Sequence, residues 1–139
     1  MSRPILKGAA VAVLAALLAS ACASTRAPPL ERMGERYALY DRFAGPPVDK
    51  FRFWDMKRFE VLGENALAVW TTIDDAWLIT VANPCDGLEF ANSVGLSSTN
   101  RHVYQRFDTV SFDAQRCRIR EIRPVDGRAL DAEEDAMRR

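Results

Sequence analysis

Histidine is almost missing from this chain. His102 is the only one, so histidine-based acid–base or metal chemistry must run through that residue or not at all. Cysteine is scarce as well. Cys22, Cys85 and Cys117 are the three present, and no two stand in a C-x-x-C spacing, which removes the common zinc-ribbon and dithiol redox signatures. Neither sign of charge dominates, with 19 basic against 19 acidic side chains, so the electrostatic footprint of a nucleic-acid binder is absent. No apolar run reaches the about 20 residues that span a bilayer core. Nothing in the composition asks for a metal or a cofactor, and none is expected.

What is present begins with an address. Arg3 and Lys7 form a short basic start, residues 8–21 carry no charge, and the apolar part runs only from Ala9 to Leu18. That order describes a secretory signal rather than a membrane span. Its end reads two ways. Ala19 and Ala21 satisfy the small-x-small rule for ordinary cleavage before Cys22. The same run, Leu17-Leu18-Ala19-Ser20-Ala21-Cys22, also resembles the bacterial lipobox, whose cysteine is acylated and becomes the mature N-terminus. Ala19 stands where that motif usually has leucine, with Leu18 one place earlier. The lipoprotein reading is preferred because a cysteine at the cleavage point is otherwise uncommon. Two or three acyl chains hold a protein firmly to a membrane, whereas one does so only marginally. By analogy with enterobacterial sorting, Ala23 in place of aspartate favours the outer membrane, periplasmic side. Ordinary cleavage would instead leave the protein free in the periplasm.

Removing residues 1–21 takes away Arg3 and Lys7 and leaves 17 basic against 19 acidic groups. The expected partners are the membrane through the acyl chains and an envelope protein or anionic ligand, with nucleic acid excluded. If Cys22 is acylated, Cys85 and Cys117 remain as an even pair in an oxidising compartment. A disulfide between them is preferred over a metal site or a reactive thiol, because two lone cysteines are poor zinc ligands. Such a bridge would stabilise the fold by about 3–4 kcal/mol on the chain-entropy account.

Along the chain, residues 22–29 are small and proline-bearing and read as a tether. From Leu30 to Phe43, Leu30, Met33, Tyr37 and Tyr40 recur every three to four residues, which predicts an amphipathic helix weakened by Gly34 and ended by Gly45-Pro46-Pro47. Short β segments follow at Phe51–Trp54 and Phe59–Leu62, with a turn at Gly63-Glu64-Asn65. Ala66–Thr72 and Ala76–Val81 form the clearest hairpin. Centred between Ile73 and Asp74, it sets Trp70 opposite Trp77, with Trp70, Trp77, Ile79 and Val81 on one face and Leu67, Val69 and Leu78 on the other. Both faces are apolar, so both require cover. Asn83–Gly87 is turn chemistry, and Leu88–Val94 a short helical turn. Gly95–Asn100 reads as a polar loop, Val103–Phe107 and Thr109–Asp113 as strands, and Arg116–Val125 as a last strand stopping near Pro124. The expectation is a mainly β domain, α+β at the margin, over 30–126. It would be a small curled antiparallel sheet or barrel of about five to seven short strands, with one N-terminal helix and a disulfide staple. Residues 127–139 are expected as a loose or disordered tail.

Five segments carry a specific likeness: Pro47–Phe53, Ala66–Thr71, Asn83-Pro84-Cys85, Val94–Ser98 and Cys117–Val125. Together they resemble an uncharacterised family of small proteobacterial envelope proteins, often predicted lipoproteins and grouped as a domain of unknown function. The resemblance covers about residues 37–126 and favours the cysteine pair and the lipid anchor. It implies no activity.

The candidate sites are few. On a strand, His102, Tyr104, Arg106 and Asp108 would share one face and offer a base, an anion clamp and an orienting carboxylate, the makings of a small periplasmic enzyme. The competing reading is a solvated edge strand with Val103 and Phe107 inward, and it is preferred. Ser97 and Ser98 lack a nucleophile elbow. Asp74 and Asp75 read as turn residues, and Asp108 and Asp113 do not follow a calcium-loop spacing. Trp70 and Trp77 could stack on a flat ligand in a barrel, although a core pair is the simpler account. Arg116, Arg118 and Arg120 alternate along a strand and form a basic stripe for an anionic lipid, glycan or partner, or else an exposed face paired with carboxylates such as Glu60 or Glu121. The favoured function is a non-enzymatic binding or structural module.

Overall fold

The computed structural model describes residues 29–139. The leader, Cys22 and most of the tether lie outside the described residues. Helix α1 (Pro29–Arg42) opens the chain, and β1 (Lys50–Arg52), β2 (Arg58–Val61), β3 (Ala66–Trp70) and β4 (Asp75–Val81) follow. A 3₁₀ turn at Leu88–Phe90 leads to β5 (Gly95–Leu96), β6 (His102–Tyr104), β7 (Thr109–Phe112), β8 (Gln115–Asp126) and helix α2 (Gly127–Arg138). Six strands form one antiparallel sheet in the order β2-β3-β4-β8-β7-β5, curled into a half-barrel, while β1 and β6 pair separately. The mainly β expectation holds, with a second helix and more short strands than expected.

Both faces of β3 and β4 are covered, as their apolar pattern requires. One face carries Leu67, Val69, Ile79, Val81, Ile119 and Ile122 against Phe51, Leu88, Val103 and the two bridged cysteines. The other carries Ala66, Ala68, Trp70, Ala76, Leu78 and Val125 against Leu39 and Tyr40 of α1 and Leu130 of α2. Cys85 and Cys117 are bonded, with Cα atoms 5.8 Å apart, and join the turn after β4 to β8 across 32 residues.

The β3–β4 register differs from expectation by one residue. Trp70 pairs with Ala76, Val69 with Trp77 and Ala68 with Leu78, so Trp70 and Trp77 lie on opposite faces rather than opposite each other. Five residues, Thr71 to Asp75, lie between the paired Trp70 and Ala76, an odd number. Thr71 N–H donates to the Asp75 carbonyl at 3.0 Å, and the Thr72 hydroxyl accepts from the amides of Asp74 and Asp75 at 3.2 and 2.9 Å. That side-chain cap centres the turn on Ile73, and a one-residue slip reverses every partner.

Strand β8 runs past Pro124 to Asp126 instead of stopping there. The carbonyls of Ile122 and Pro124 accept from the amides of Val48 and Gly45. Antiparallel residues aim their N–H and C=O to the same side, so the amide that Pro124 lacks faces that segment and the β4 ladder loses nothing. The expected tail is a helix. Asp126 caps α2 by accepting from the Ala129 amide at 3.0 Å, and Leu130 is wholly buried.

Candidate anion-binding face

Strand β8 alternates Arg116, Cys117, Arg118, Ile119 and Arg120, with the cysteine and isoleucine buried and all three arginines exposed. Alternation therefore puts the guanidinium groups on one face, as the sequence predicts. Between Thr80 and Val81 the ladder with β4 shifts. Thr80 pairs with Glu121 and Val81 with Ile119, which leaves Arg120 as the extra residue of a bulge. The bulge lets Ile119 and Ile122 both point into the disulfide side of the core despite their odd spacing.

The helices pack over Trp70, Leu78 and Val125 and leave the arginine half of β8 open. There an open groove of about 620 Å³ is lined by Arg118 and Arg120, by Tyr37 of α1, Thr80 of β4 and Glu121, and by Arg106. Arg106 arrives from a turn. Its backbone is left-handed (φ 65°), and its amide donates to the Ile119 carbonyl at 2.7 Å, which sets a fourth arginine beside the stripe. Among the described residues, none of Arg106, Arg116, Arg118 and Arg120 has a carboxylate within salt-bridge distance, although seven of the other arginines and lysines do. Glu60, expected as a partner, is taken elsewhere. It accepts both Arg36 Nε and Nη2, at 2.6 and 2.8 Å, and the Tyr40 hydroxyl at 2.9 Å.

That second cluster is structural. Trp70 Nε1 donates to Tyr40 Oη at 3.1 Å, the Arg58 guanidinium lies 3.8 Å over the Trp70 ring, and Arg36 also reaches Glu134 of α2 at 2.6 Å. Burial pushes the Glu60 carboxyl up, but hydrogen bonds from Arg36 and Tyr40 and the positive charges of Arg36 and Arg58 outweigh it. The carboxyl is held below its usual range. Burial also drives the Tyr40 phenol well above its ordinary value.

His102, Tyr104, Arg106 and Asp108 do not form a common face. The strand ends at Tyr104, and the chain turns through 105–107, which separates the four. Asp108 is buried at 2 % exposure and ties the loop together by accepting from the Ser97 hydroxyl and the Tyr104 amide, each at 2.7 Å. The His102 ring sits 2.9 Å from the Asn100 carbonyl through Nδ1. Phe107, expected inward, is 68 % exposed. The Ser97 hydroxyl also accepts from the Thr109 amide, so it is engaged in holding the loop. Trp70 is core at 1 % exposure, while Trp77 stacks on Phe51 at 4.7 Å between centroids. Trp77 borders a shallow groove of about 280 Å³ that includes the exposed Trp54 but not Trp70. Among the described residues no three His, Cys, Asp or Glu side chains cluster as metal ligands.

Tyr37, Thr80 and Arg106 were not picked out as groove residues by the sequence. Tyr37 was legible only as a helix-face aromatic, and no local signal could show that the 105–107 turn docks on β8. The geometry defines a disulfide-stapled β half-barrel with an arginine-lined face. The chain belongs to DUF6491, a family of unknown function, whose model matches residues 5–139. No curated protein and no solved structure matches it.

Proposed function

We propose that the protein is a lipid-anchored module of the bacterial envelope, held at the periplasmic side of the outer membrane, that binds an anionic partner and catalyses nothing. The observation that carries this reading is the row of Arg116, Arg118 and Arg120, joined by Arg106, which the two helices leave uncovered and which no carboxylate of the described residues engages. Unpaired guanidinium groups recognise phosphate and carboxylate through parallel N–H donors. The buried Cys85–Cys117 bond suits an oxidising compartment, as the leader and Cys22 do. The enzymatic alternative loses support because His102, Arg106 and Asp108 diverge, and the ligand-barrel alternative because Trp70 and Trp77 face opposite ways.

The mature N-terminus is the test of the anchor. Intact mass of protein extracted from the envelope is expected to show a chain starting at Cys22 and carrying a diacylglyceryl group and an N-acyl chain. Cys22→Ala should release the protein into the soluble fraction. An unmodified Cys22 in the native protein would remove the anchor from this reading. Cross-linking in the intact envelope from a position beside Arg118 then identifies what occupies the face.

A further inference from the structure

We propose that the Arg106/Arg118/Arg120 groove binds the phosphate groups of anionic phospholipids, so that the domain lies with this face against the bilayer that carries its tether. The proposal rests on the lipid-anchor reading for its geometry and on the groove for its chemistry. Three guanidinium groups line the groove against one carboxylate, Glu121, and the Tyr37 and Thr80 hydroxyls add neutral hydrogen-bonding groups beside them. Arg116 extends the row along β8. Because none of these arginines is engaged by a carboxylate among the described residues, binding a phosphate breaks no ion pair. An open groove of this kind suits an array of headgroups better than one enclosed ligand.

Distance along the chain favours the same occupant. Cys22 and Pro29 are seven residues apart, a reach of at most about 25 Å when extended. Tyr37 stands eight residues into α1 from Pro29, about 12 Å along the helix axis. An acylated chain therefore holds the arginine face within a few tens of ångströms of the headgroup layer, where the local concentration of phosphate is high. Each arginine brought to an anionic surface is worth about fivefold in binding, so the row converts a tether into an oriented contact.

The chain from residue 22 onward, bearing Cys22→Ser so that no acyl chain contributes, is tested by co-sedimentation with vesicles. One set holds phosphatidylglycerol and phosphatidylethanolamine in equal parts, and the other phosphatidylcholine alone. Binding is expected to the first set only and to weaken with added salt. Arg118→Glu with Arg120→Glu should lower it about 25-fold or more, with the melting temperature and the disulfide unchanged because both side chains are exposed. Arg52→Glu, an exposed strand arginine outside the groove, changes the net charge in the same sense and should cost far less. Equal losses in the two variants, equal binding to both vesicle types, or no vesicle binding would overturn the proposal. So would a cross-linked acidic protein on the groove without vesicle binding. Failure here leaves the anchor standing if the mass of Cys22 shows acylation, and an unmodified Cys22 leaves vesicle binding by the groove intact.

Discussion

Glu60 ties β2 to α1 directly and, through Arg36, to α2. It accepts from Arg36 and Tyr40, and Arg36 in turn bridges to Glu134. Glu60→Ala would strand Tyr40 and Arg36 and should cost about 1–2 kcal/mol, allowing for screening at a side chain one-third exposed. The carboxyl is held below its ordinary value of 4.5 in the folded protein, so its contribution is complete above that value and is lost as pH falls through the lower folded-state value. Urea unfolding of wild type and Glu60→Gln should therefore show a gap at neutral pH that narrows as pH falls below the ordinary carboxyl value and closes beneath the lower folded-state one. A gap that stays level would contradict the ionised pair. Asp108 has a different task at the same scale. Its two acceptor bonds hold the 97–109 loop, so Asp108→Ala should cost about 1–3 kcal/mol and be read as a lowered urea midpoint.

At the scale of elements, the two helices depend on the sheet in unequal ways. Helix α1 has its own amphipathic pattern, with Leu39 and Tyr40 at its buried end. Gly34 sits in that helix with open space around its Cα. Gly34→Ala should raise stability by about 0.5–1 kcal/mol. Helix α2 buries little apolar surface and is held by its cap and by pairs such as Arg42–Glu133 and Arg58–Asp131. Its first residue, Gly127, lies where a Cβ would overlap the Asp74 carbonyl and the Trp70 ring. Gly127→Ala should therefore destabilise by about 2–3 kcal/mol through overpacking, and Asp126→Ala by about 1 kcal/mol through the lost cap. Both are checked by chemical denaturation. A Gly127→Ala protein as stable as wild type would mean that α2 docks differently.

For the whole molecule, the disulfide is the covalent element that links β4's exit to β8, and β8 is the strand that connects the two halves of the sheet. Replacing both cysteines by serine should lower stability by about 3–4 kcal/mol on the loop-entropy account, a large share of what a small domain has. The comparison is between oxidised wild type and Cys85→Ser/Cys117→Ser under the same denaturant series. The arginine face belongs to this scale too, because it exists only where the helices stop covering β8.

Much of this was legible in the sequence wherever the cause is local or can be counted. The α1 periodicity, the apolar residues on both sides of β3 and β4, the turn residues, the alternation Arg116-Cys117-Arg118-Ile119-Arg120 and the leftover pair of cysteines each imply their outcome without knowledge of neighbours. The tertiary structure decided what depends on distant partners. A threonine cap on the β3–β4 loop set its register and parted the two tryptophans. Ion pairs from α1 and β2 folded a segment too polar to fold by itself. The docked 105–107 turn ended the His102 strand early and delivered Arg106 to the groove. Side-chain period is a property of the strand, whereas register, docking and cover are properties of what lies across from it.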